Sequence, residues 1–157
     1  MENATRAERI AAGAIAGVFG AGAYMLEQAI DLRLCHHHTD DRLLLGRLIT
    51  GDNDDAKTIG LAMHLMNGAV AGIAYTFLAE PLLPGPPLVK GLTFSLAETI
   101  ALYPLAVTER HHPAIRDGTL ASYLTPVGFA QQVMRHIAFG AVLGPVAARL
   151  PGRGYPG

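Results

Sequence analysis

The sequence predicts an all-α integral membrane protein, a four-helix bundle built from two helical hairpins that repeat in parallel. Three observations carry that prediction: four apolar segments of membrane-spanning length, marked starts at the helices, and a motif that recurs 72 residues along the chain. Of the 157 residues, 50% are apolar, 16% are charged and 18 are glycine, and mean hydropathy is +0.29. At roughly 150 residues per domain the chain has room for one, so residues 1–157 are read as a single transmembrane domain. A chain this apolar is not disordered, and its segments leave no polar face for water, which excludes an ordinary soluble enzyme domain. With 12 Lys plus Arg against 13 Asp plus Glu the net charge is -1, so no basic footprint for a nucleic acid is present. The single cysteine, Cys35, cannot close an internal disulfide.

The apolar runs are 10–26, 59–79, 88–108 and 126–148, each about as long as a helix needs to cross hydrocarbon. A water-soluble bundle would lose about 1 kcal/mol at each interior glycine. The first helix opens on a capping box, Thr5 with Glu8. Arg6 and Arg9 ahead of an apolar run imitate a cleavable secretory signal, yet removing this helix would destroy the first hairpin. Asp52, Asn53, Asp54 and Asp55 precede the second helix; without the glycine and distal glutamate of a calcium loop they read as a loop and N-cap. Pro86 and Pro87 preset the start of the third helix, and Pro104 should kink or end it near Tyr103. Thr125 and Pro126 supply the N-cap and first position of the fourth. The polar connections 31–57, with six Asp, and 109–125 fall on one side of the membrane, and the tight turn 80–87 on the other. Residues 42–49 have the pattern of a short interfacial helix.

The segment from His64 to Gly72 matches that from His136 to Gly144 at five of nine positions. Two repeats, about 8–80 and 87–149, each hold an even number of spans and therefore point the same way, related by an axis along the membrane normal. Small residues mark the contact faces: Gly13, Gly17 and Gly20 on the first helix, Gly68 with Gly72 on the second, and Gly140 with Gly144 on the fourth.

Carried along those stripes by helical periodicity, Glu27, His64, Glu98 and His136 place one ionisable residue on the packing face of each helix. At the rise of an α-helix they lie about 6 to 16 Å in from the long-loop ends. A charge in hydrocarbon costs about 2.5 to 3.5 kcal/mol on lenient scales, so such groups are kept when they pair, face water or chelate. The first reading is structural, two His–Glu pairs that lock the helices. Left open beside it are a transition-metal site on Glu27, His64, Glu98 and His136, a proton-conducting or pH-sensing site, and heme b held axially by His64 and His136. The loop histidines, His36 to His38 with His111 and His112, read as a solvated interfacial patch. No nucleophile elbow, phosphate-binding loop or dinucleotide fingerprint is present, and no catalytic residue is assigned.

Taken together, His64, Gly68 and Gly72, then Tyr103 with Pro104, then His112, Pro113 and Arg116, then His136, Gly140, Leu143 and Gly144 resemble the small YagU-like inner-membrane proteins of unknown function. That resemblance implies a polytopic protein of the bacterial inner membrane, with a link to acid tolerance suggested for some members. The expectation is therefore a non-enzymatic membrane protein with a buried Glu/His polar site, structural or proton-responsive. The alternative is a metal- or heme-b-binding membrane subunit. Its partners would be the lipid bilayer and further membrane subunits or copies of itself, with no nucleic acid.

Overall fold

In a computed structural model, described over residues 5–150, the chain is all-helical, with no strand among the described residues. The capping box closes as expected: Thr5 accepts from the Glu8 N–H, Glu8 accepts from the Thr5 N–H, and α1 (Arg6–Leu34) begins. This helix runs well past its apolar segment. Asp31, expected to open the first loop, instead lies buried on the last turn of α1. Asp40 caps α2 (Asp41–Gly46), the expected short helix, and Asp52 caps α3 (Asn53–Ala74), which continues as a π-helical turn, Tyr75–Ala79. Pro87 starts α4 (Pro87–Leu102). Pro104 cannot donate to the preceding turn, and the chain tightens into a 3-10 helix, Tyr103–His111. After α5 (Pro113–Arg116), Thr125 caps α6 (Pro126–Arg149).

Three helical stretches are long and apolar enough to cross a membrane, Arg6–Leu34, Asn53–Ala79 and Pro87–His111. The fourth expected span, α6, is not one of them, because Gln131, Gln132, Arg135 and His136 interrupt its apolar run.

Helix α1 packs on α3 along one side and on α6 along another, and α4 packs on α6. Backbone meets backbone at the glycines. A Cβ built on Gly17 would lie 1.9 Å from the Gly68 carbonyl oxygen, and one on Gly72 would lie 2.1 Å from that of Gly13. In the other pair, a Cβ on Gly91 would lie 2.3 Å from the Gly140 oxygen, with Gly144 against Pro87 and the Ser95 side chain opposite Gly140. Gly20, expected on the stripe of Gly13 and Gly17, turns instead to α6 and lies under the Phe139 ring. Ala16, Ala21, Tyr75, Phe139 and Leu143 fill the core between these helices. Outward, Phe19, Leu26, Met66, Leu78 and Ile100 are each at least 60% exposed, large apolar side chains on the membrane-length helices that suit lipid better than water.

The two long connections fold together into a cap over one end of the helices. Helix α2 lies on α3, with Gly46 against the Ala56 backbone and Gly60 against that of Arg42. Leu43, Ala56, Ala114, Leu120 and Tyr123 make a second small core there. The Ala121 N–H donates to the His38 carbonyl at 2.8 Å. Two of the loop histidines staple this cap rather than joining a solvated patch. His37 Nε2 lies 2.8 Å from the Ser122 carbonyl, and His112 Nε2 donates to the Leu44 carbonyl at 2.7 Å while its Nδ1 accepts from the Ala114 N–H. His36, His38 and His111 are exposed.

Candidate functional site: a buried arginine and its carboxylates

At the junction of cap and helices, Arg135 of α6 is fully buried. Such a cation persists in a dry environment only with its charge and hydrogen bonds met. Its Nε donates to Asp31 Oδ2 at 2.7 Å and its Nη2 to Asp31 Oδ1 at 2.8 Å, the two parallel bonds that suit guanidinium to carboxylate. Nη1 donates to Asp41 Oδ2 at 3.0 Å and Nη2 also to Thr39 Oγ1 at 3.1 Å. Thus the end of α1, the start of α2 and the middle of α6 are tied at one side chain.

Around this centre the remaining polar groups are largely spent. The Tyr24 hydroxyl donates to Asp41 Oδ2 at 2.6 Å, with Gln132 Oε1 2.9 Å away, and the Tyr123 hydroxyl donates to Asp41 Oδ1 at 2.8 Å. Gln131 donates to Asp31 at 3.1 Å and accepts from Thr39 at 2.8 Å. Gln28 donates to Asp40 and accepts from the Asp41 N–H, both at 3.0 Å, which fixes the start of α2 on α1. Burial alone would push the Asp40 carboxyl up, but the Arg42 guanidinium, 2.8 Å away, holds it below the usual carboxylate range. Burial, and then the neighbouring Asp41, push the Tyr123 phenol well above its ordinary value.

The four residues singled out from the sequence border this centre. Glu27 Oε2 lies 3.9 Å from Arg135 Nε and is buried without a hydrogen-bond partner. His64 and His136 both touch the Tyr24 ring, with centroids 4.6 and 5.1 Å away. Glu98, half-buried on α4, lies within electrostatic reach of His136. The expected His–Glu ion pairs do not form among the described residues; the ion-pair partner of Glu27 is Arg135. Among the described residues no three His, Cys, Asp or Glu side chains are placed so that they could hold one metal ion.

Arg135 lies one residue off the glycine stripe of its helix, and Asp31 and Asp41 lie outside the apolar segments, so glycine periodicity does not mark them. The sequence does carry a signal: a lone arginine inside a long apolar segment requires a buried anion, and Asp31 and Asp41 both lie in the first polar connection.

A family model, described as a family of unknown function (DUF6789), matches residues 7–155. No curated protein and no solved structure matches the chain, and nothing in these comparisons links it to the YagU-like proteins.

Proposed function

We propose that this chain, which belongs to the DUF6789 family of unknown function, is a non-enzymatic polytopic membrane protein whose buried polar site takes up and releases protons. The observation that carries this reading is the charge count around Arg135: one guanidinium faces Asp31, Asp41 and Glu27. The net charge of that site is therefore set by the number of protons it holds. The Tyr24 hydroxyl bonds Asp41 and its ring lies against both imidazoles, so titratable groups of α1, α2, α3 and α6 meet around one side chain.

The same reading takes α6 as a fourth span whose polar middle is neutralised by α1 and the cap. It also takes the helices as two parallel hairpins. Support for the repeat comes from the glycine contacts, Gly17 on Gly68 and Gly91 on Gly140, and from the meeting of His64 and His136 at one tyrosine. The bacterial inner membrane is the setting this reading assumes.

The test is infrared titration of the carboxyl bands in lipid nanodiscs, across about pH 4 to 9, which spans the carboxyl and imidazole ranges. A protonation step that Glu27→Gln removes is the expected result. A titration identical in the parent and Glu27→Gln would overturn the reading.

A further inference from the structure

Between α2, the 3-10 helix Tyr103–His111 and α6 lies a cavity of about 530 Å³, within the usual size range of small-molecule sites. Leu44, Leu48, Leu102, Leu105 and Ala106 give it an apolar wall among polar and aromatic side chains, and Leu48, Leu102 and Leu105 are exposed, so it opens toward the apolar outer surface.

The polar groups of the wall are unevenly spent. Thr99 donates to the Ser95 carbonyl, Thr108 to that of Leu105 and Tyr103 to that of Tyr123. The Gln132 amide donates to Asp41, the Tyr123 hydroxyl to the same carboxylate, and His112 to Leu44. Apart from His111 on the exposed rim, these side-chain donors are all engaged. Acceptors are left over, among them the His136 ring. Its Nδ1 lies 2.8 Å from the Gln132 carbonyl, which can only accept, so Nδ1 donates and Nε2 is the ring nitrogen left to accept. Glu109 adds a negative charge to the wall, with its two oxygens taken by the Ser122 hydroxyl and the Tyr123 N–H. An anionic occupant, such as a fatty acid or a lipid phosphate, is therefore disfavoured.

We infer that this cavity binds an uncharged, lipid-soluble phenol, whose apolar body lies against the leucines and whose hydroxyl donates to His136 Nε2. The inference goes beyond the proton reading and does not need it: Glu27 does not line the cavity, so Glu27→Gln should leave this binding unchanged.

The test uses decylphenol and its methyl ether, decylanisole, which keeps the shape but has no hydroxyl to donate. Binding to the full chain in zwitterionic nanodiscs is followed by calorimetry and by the nitrogen shift of the His136 ring. Saturable binding of decylphenol, with a shift at Nε2 and at least about tenfold tighter than decylanisole, is expected, a ratio worth one ordinary hydrogen bond. His136→Phe keeps a ring against Tyr24 and should reduce decylphenol to the affinity of the ether. Ala106→Phe, which fills the cavity, should abolish binding of both compounds while leaving the helical signal and melting intact. Equal affinity for phenol and ether, no saturable binding, or phenol binding indifferent to both substitutions would overturn the inference.

Discussion

Arg135→Met should be among the most damaging single changes in the chain. It strands Asp31 and Asp41 without their cation in a site where the arginine has no exposure at all. Removing one partner of a buried ion pair costs about 3–5 kcal/mol, readable as lost stability in chemical unfolding in detergent. Adding Asp31→Asn should return part of that loss, since fewer charges are then left alone; a double mutant no better than the single would rule out the pairing as its cause. Asp40 provides a pH test with a definite sign. Its carboxyl is depressed in the fold by Arg42, so its contribution is complete above the unfolded value of about 4 and is lost as pH falls through the lower folded value. Asp40→Asn should therefore loosen the cap at neutral pH, seen as faster hydrogen exchange in α2, and the difference from the parent should shrink on acidification below about pH 4. At this scale sequence periodicity singles out Glu27, His64, Glu98 and His136, but it cannot say that the side chains beside them include an arginine, two aspartates and a tyrosine. Those contacts depend on how α2 folds back over the helix ends, which no single helix encodes.

Two glycines on the same helix make the element-scale test. Gly17→Val would drive a side chain into the Gly68 backbone, with its Cβ 1.9 Å from a carbonyl oxygen that cannot rotate away. The loss should exceed about 3 kcal/mol, in the range that marks overpacking of a core, and should separate α1 from α3. Gly22 has nothing within 4 Å of a built Cβ, so Gly22→Ala should be neutral or stabilise by up to about 1 kcal/mol through helix propensity. A thermal melt in detergent that ranks the two alike would remove the close-packing argument. Helix starts were legible because their signals are local: the Thr5 capping box, the Asp52 and Thr125 caps and the prolines at 87, 104 and 126 act within one turn. The end of α1 was not, since Asp31 looks like a loop residue until Arg135 is placed beside it. The direction of Gly20 was equally hidden. Seven residues from Gly13 bring it only near the same face, and which neighbour it meets depends on where α6 crosses.

For the whole molecule, the exposed apolar faces predict a protein that stays monodisperse in detergent or nanodiscs and aggregates when detergent is withdrawn. Monodisperse behaviour in plain buffer, seen by light scattering, would end the membrane reading. The Arg135 cluster also sets a timetable for synthesis. Its arginine is added 104 residues after Asp31 and 94 after Asp41. At about 5–20 residues per second, translation leaves both acids without a counter-charge for about 5–20 s. During that interval the nascent chain holds two carboxylates that belong in a dry interior but are cheaper to keep hydrated, so the early helices should linger with their cap ends in headgroup water. Docking is then completed when α6 leaves the ribosome, and chains halted before residue 126 should be cleared by proteases while chains that include α6 persist in a pulse-chase experiment.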